Sequence, residues 1–394
     1  MEDATPAAPV AHGPHDAAQQ VLDRAVREGE VPGIVAQVRD GGGHWFGTAG
    51  VADTRTRRAR GHEDRFRIGS ITKTFTATVL LQLVAEGQLA LEDTVERWLP
   101  GVLTGNGHDG GTITVRQILN HTSGVFSHTR DQPALSRQES YTPEELVEIA
   151  LSHPADFPAG KGWAYSNTNY ILAGMIVEHV TGRTLADEIT GRLARPLGLT
   201  GTSLPLGADP ALSGPHSSHY TRLFSPDPDA TVHNVTELET SPYGAAGGMI
   251  STAADLNRFF AALLGGDLLR PEEQREMFTM VPTESWLPGA AYGLGVSRLT
   301  LPSGTVVWGM GGALFGSWSY VYGTREGRHM LAVNINADWA RGPWEDPIGI
   351  FTDLLEAEFS RSADADTARG KGAAWSGSPS TEPNDDAERA RLGL

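Results

Sequence analysis

Sequence that reads as β-strand lies at both ends of this chain, with helical sequence between, and this restricts the topology more than any other feature. GIVAQVRD (33–40) and HWFGTAGVAD (44–53) read as two strands joined by a turn around Gly41–Gly43. YGLGVSRLTL, GTVVWGM, GSWSYVYG and RHMLAVNIN, between residues 292 and 336, read as a second run of strands with tight turns. The economical arrangement is one antiparallel sheet built from the N- and C-terminal segments and flanked by helices, an α/β (α+β) fold. Helical spacing marks the flanking helices from about His15 to Glu28, over STAADLNRFFAALLGG and over EDPIGIFTDLLEAEF. Another helix is expected to open at Ser70 and run to about Glu86, with Gly87 as its stop. Residues 91–247, with stretches such as TVRQILNH and TPEELVEIALSH, form a largely helical inserted region. The expected organisation is a flexible lead (1–14), one folded domain (15–361) and a tail (362–394). The tail is rich in Ala, Gly, Ser, Pro and charge, a composition that cannot bury a core and predicts disorder.

The bulk chemistry removes several function classes. A net charge of −17 and the lack of a basic stripe exclude a nucleic-acid or anionic-membrane partner. With no cysteine, thiolate catalysis and cysteine-ligated zinc are impossible. The start, MEDATPAAPVAHGPHDAAQQ, has neither the basic nor the apolar region of a secretory signal, and no apolar run reaches the ~18 residues of a membrane span. A cytoplasmic location is the expectation. Oligomeric state is not legible.

Gly69-Ser70-Ile71-Thr72-Lys73 carries the first chemical signal. On a helix opening at Ser70, Lys73 lies three residues on along the same face, within reach of the hydroxyl. Serine is a poor nucleophile until a base takes its proton. Lysine serves only if desolvation or positive potential lowers its pKa. The helix N-terminus supplies such potential and favours a developing oxyanion. An N-capping serine followed by a surface lysine has the same spacing. Tyr165-Ser166-Asn167 is the second signal. A tyrosine near a lysine can relay protons, and the asparagine can bond the lysine or a substrate amide. A core tyrosine in a loop before a helix reads equally well from this segment alone.

Taken together and in order, these segments resemble the serine penicillin-binding-protein and class C β-lactamase-like family. The likeness is closest to actinomycete D-Ala-D-Ala carboxypeptidases and related esterases and acyltransferases. RFRIGSITKTFTATVLLQLVAEGQLALED is similar to that family's nucleophile helix with its flanks, and YSNTNYILAG to its Y-x-N block. VERWLPG, ITVRQILNHTSG, GAAGGMISTAADLNRFF and YGLGV match further blocks, so the likeness spans about residues 16–360. The resemblance implies Ser70 as nucleophile, Lys73 as its proton partner, Tyr165 as general acid/base and Asn167 as the Y-x-N asparagine. It also implies an oxyanion hole made by the backbone N–H groups of Ser70 and Ala313. The family's third block, His/Lys-Thr/Ser-Gly, falls on Met310, Gly311 and Gly312, followed by Ala313, so the cation is missing. With Ser297 on the preceding strand and Arg298 expected to point to the opposite face, Met310 is expected to wall the substrate site. That wall suits a neutral or apolar group and not a free carboxylate.

His121, in NHTSG, is read as part of a structural turn. His108, His128, His216, His219 and His233 lack metal-ligand spacing, and neither a metal nor an organic cofactor is expected. Glu144-Glu145 and Glu272-Glu273 read as helix first-turn residues. Three functions follow from these features. The first is an intracellular acyltransferase or esterase acting on neutral esters or amides, with a small-molecule or peptide acyl substrate. The second is a D,D-carboxypeptidase or β-lactamase-type hydrolase. The third is a non-catalytic binding protein on the same scaffold.

Overall fold

A computed structural model describes residues 13–135, 140–205, 210–225, 227, 229–283 and 286–360. The tail from residue 362, and all but the end of the lead, lie outside them. The two ends of the chain meet in one eight-stranded antiparallel sheet. Its N-terminal hairpin is β1 (Gly33–Asp40) and β2 (Gly43–Gly50). The C-terminal strands are β3 (Val281–Pro282), β4 (Ala290–Tyr292), β5 (Ser297–Thr300), β6 (Val306–Leu314), β7 (Ser317–Gly323) and β8 (Met330–Ile335). The order across the sheet is β2-β1-β8-β7-β6-β5-β4-β3. The seam between the ends is the β1–β8 ladder, from Ile34 opposite Ile335 to Arg39 opposite Met330.

Each face of the sheet is covered by its own core. On one side α1 (Asp16–Arg27) and α5 (Pro347–Phe359) pack Ala18, Leu22, Phe351 and Leu354 against Tyr320, Leu331 and Val333. Asp346 caps α5 by accepting from the Ile348 N–H at 2.8 Å. On the other side lie α2 (Thr72–Ala85), α3 (Asn167–Thr181) and α4 (Ala253–Gly265). Phe75 of α2 stacks on Phe259 of α4, ring centroids 3.7 Å apart. α2 has no polar face and is buried all round, as a helix at the centre of a core should be. Its threonines are tolerated because their hydroxyls bond outward or along the helix. Thr72 Oγ1 accepts from the Met249 N–H, and Thr74 and Thr76 donate to the carbonyls of Gly295 and Ala245.

Two expectations from the sequence need correction here. Ser70 does not open the α-helix: Gly69–Ile71 form a 3-10 turn, and α2 begins at Thr72. Gly69, at φ +51°, swings the chain out of Arg67 into that turn. YGLGVSRLTL is not one strand either. β4 and β5 are separated at Gly293–Val296, where Gly295 (φ +76°) lies so close to α2 that a Cβ there would sit 2.6 Å from that of Ala77. Among the described residues, no helix is long and apolar enough to cross a membrane.

Candidate active site

The 3-10 turn leaves Ser70 partly exposed at the mouth of α2, with Lys73 one turn further in and fully buried. Lys73 Nζ donates to Ser70 Oγ at 3.0 Å, to Asn167 Oδ1 at 2.6 Å and to the Ala246 carbonyl at 2.8 Å. Three neutral partners thus fix the Lys73 amino group in place and aim it at the serine. Asn167 is the first residue of α3, and its own geometry is locked. Its N–H donates to Ser127 Oγ at 3.0 Å and its Nδ2 to Thr129 Oγ1 at 2.9 Å. Tyr165 reaches the same place by its ring, whose centroid lies 4.7 Å from Lys73 Nζ.

The strand β6 closes the other side of Ser70. A Cβ added to Gly312 would fall 2.7 Å from the Ser70 nitrogen and 2.0 Å from the Ile68 carbonyl. A Cβ on Gly69 would fall 2.7 Å from the Ala313 nitrogen. The backbones of Gly69–Ser70 and Gly312–Ala313 therefore touch, as only glycines at 69 and 312 permit. The N–H groups of Ser70 and Ala313 belong to these two apposed segments.

The rest of the third block departs from expectation. Met310 does not wall the cleft: it is 1% exposed and packs into the core beside α2. Register gives the reason, since residues paired across a ladder share a face. Gly311 pairs with Tyr320, Gly309 with Tyr322, and Ser297 with Gly309, so this set faces the α1/α5 side. Met310 alternates to the α2 side, and Arg298, paired with Trp308, takes that side too. Ser297 is buried and engaged with the Gly309 carbonyl (3.0 Å) and the Tyr322 hydroxyl (2.7 Å), so it does not line the cleft with Met310. Of the four β6 residues singled out in the sequence, only Ala313 is exposed.

Several site residues carried no sequence signal of their own. The Ala246 carbonyl comes from GAAGGM, a block matched without a role, and Ser127 and Thr129 from the unassigned SHTR stretch. His121, read as a turn residue, is in a turn with φ +63° and is also fully buried under Tyr165, ring centroids 4.4 Å apart. Its Nδ1 accepts from the Ser166 N–H and lies 3.2 Å from Asn169 Nδ2, so the neutral ring carries its proton on Nε2. Burial, reinforced by the Lys73 charge, holds its pKa well below the usual histidine range.

Comparison with known proteins finds relatives of this chain. The family described as "Beta-lactamase" matches residues 18–342. A solved structure of a D-stereospecific amidohydrolase from Streptomyces sp. is 47% identical, covering 89% of this chain and 99% of its own at a TM-score of 0.79. The D-amino acid amidase of Ochrobactrum anthropi SV3, solved with L-phenylalanine amide, is 27% identical over 89% of this chain and 99% of its own, at 0.77. Penicillin-binding protein 4 of Amycolatopsis lactamdurans is 31% identical over 247 residues, 61% of each chain. The matches span about half to three fifths of the length of the first curated relatives.

Proposed function

The chain belongs to the Beta-lactamase family, whose fold and serine-hydrolase character it shares, and on that premise we propose that it is an acyl-transfer hydrolase of neutral amides and esters, D-aminoacyl amides foremost. Ser70 Oγ attacks the acyl carbon and loses its proton to the Lys73–Tyr165 pair. The N–H groups of Ser70 and Ala313 hold the oxyanion, Tyr165 protonates the departing amine, and the acyl-enzyme passes to water or to an amine. The carrying observation is the buried Lys73 amino group held between Ser70 Oγ and Asn167 Oδ1. That intact bond also weighs against a purely binding role on this scaffold.

The preference for D-aminoacyl amides rests on the two amidohydrolase relatives. The preference for neutral substrates rests on the third block. Gly311 and Ala313 bear no charge, Ser297 is buried against Tyr322, and Met310 lies in the core. A D,D-peptidase reading, favoured by the similarity to penicillin-binding protein 4, needs a carboxylate anchor; these positions do not provide one, and Arg298, which the register puts on the α2 side of the sheet against expectation, is the cation that reading would need. A fluorophosphonate probe tests the proposal directly. It should add once, on the peptide containing Ser70, and Ser70→Ala should lower turnover by about 10³-fold or more. Near-full activity of Ser70→Ala on D-aminoacyl amides would sink the proposal.

A further inference from the structure

Trp286, which falls between β3 and β4 in the sequence, lays its indole on the tyrosine assigned to proton transfer. Trp286 stacks on Tyr165 with centroids 5.8 Å apart and planes 14° from parallel. Trp163, two residues before that tyrosine, packs against the same indole at 5.7 Å, and Tyr292 closes the base edge-on at 5.3 Å. Tyr292 and His121 are fully buried, whereas Trp163, Tyr165 and Trp286 all remain partly open to solvent. Three partly open rings over a buried aromatic base form a wall at the margin of the core rather than part of its closed interior.

The position of the wall follows from the chemistry. On the proposed function, on which this inference rests, the oxyanion points to the Ala313 N–H, and the leaving nitrogen must come within hydrogen-bond reach of the Tyr165 hydroxyl. A substituent on that nitrogen is then beside the Tyr165 ring, on which Trp286 stacks and against which Trp163 packs at 6.5 Å. We infer that Trp286 and Trp163 form a leaving-group and acceptor subsite for flat, apolar amines such as aryl- or benzylamines. In acylation the Ser70 Oγ–C bond forms, the C–N bond breaks, and the Ser70 proton leaves on the amine through Lys73 and Tyr165. In transfer the same amine attacks the acyl carbon, its proton passes to that pair, and Ser70 Oγ regains a proton as it departs. One surface thus serves both directions, and it biases the acyl-enzyme toward an aromatic amine over water.

Two measurements on the full chain test this. The first is kcat/KM for D-alanine benzylamide against D-alanine methylamide. The second is the yield of benzylamide against methylamide when D-alanine methyl ester is the donor and the two amines compete. The wild-type chain should favour benzyl about tenfold in both, after the amines' intrinsic reactivities are divided out against a buffer reference. Trp286→Ala should bring both ratios close to one, whatever happens to the absolute rates, and Trp286→Phe should retain most of the preference. A benzyl preference that survives Trp286→Ala, or is absent in the wild type while Ser70 acylates normally, overturns the subsite alone. A Ser70 that takes no acyl group from either amide or from the ester overturns the proposed function and the subsite with it.

Discussion

Adding one methyl group at Gly312 probes the contact on which the oxyanion geometry depends. A Cβ there would lie 2.0 Å from the Ile68 carbonyl oxygen and 2.7 Å from the Ser70 nitrogen, against an ordinary contact of 3.4 Å or more. Both neighbours are backbone, so no side chain can swing aside, and roughly 1.4 Å must come from sliding β6 away from the 3-10 turn. That shift would carry the Ala313 N–H out of hydrogen-bond range of an oxygen still held by Ser70. Losing one such donor costs about 10²–10³ in kcat, and the overpacking costs about 1–3 kcal/mol of stability. Gly312→Ala should therefore fold with a lowered melting temperature and lose about two to three orders of magnitude in acylation rate, read by stopped-flow with a chromogenic ester. Gly311→Ala is the control on the same strand: its Cβ would meet the Tyr320 ring at 2.8 Å on the α1/α5 side. It should cost stability with a much smaller loss of rate. If a folded Gly312→Ala acylates within about threefold of wild type, β6 does not supply the oxyanion donor, and the apposition of these glycines has another cause.

Three further outcomes follow from the same structure. Lys73→Ala and Tyr165→Phe should each cut acylation by about 10²–10⁴, and the double variant should be little slower than the worse single one, because the pair acts as a unit; multiplicative losses in single-turnover rates would show independent roles. For one acyl group presented as a free-carboxylate peptide and as its methyl ester, kcat/KM should favour the ester after its intrinsic reactivity is divided out; a preference for the carboxylate would restore the peptidase reading. Stability should fall as pH drops below about 6.5. Burial holds His121 and His219 far below the ordinary histidine value when folded, so only the unfolded chain takes up their protons. Each should remove about 1 kcal/mol between pH 6.5 and 5.5. Chemical denaturation across that window checks the sum, and His219→Gln should flatten the slope if it still folds; a flat profile in the wild type would show that neither ring enters the core neutral.

Where the reading of the sequence succeeded, the information was local. The 3-residue spacing of Ser70 and Lys73 brings their side chains together in any helical turn, which is why the pair was legible even though the α-helix starts two residues later than expected. Alternation within 33–40 and 306–335 likewise announced strands, and their placement at the two ends left one sheet as the simple solution. Alternation also states that Met310 and Gly311 point opposite ways, and Ser297 and Arg298 likewise. It does not state which way is inward. That was set by the β5–β6 and β6–β7 registers and by α2 packing beneath them, and it put Met310 in the core with Arg298 on its side of the sheet.

The same division holds at the site as a whole. The sequence by itself determined a helical turn bearing a serine and a lysine, and a block offering a tyrosine and an asparagine. Only the tertiary structure decided that Asn167 would meet Lys73 across 94 residues, that the Ala246 carbonyl would also bond its amino group, and that Trp286 would lie on Tyr165. Periodicity fixes how side chains are oriented within one element. Contacts between elements depend on which faces bury the most apolar surface against each other, a property of the assembled core that no short stretch of sequence contains.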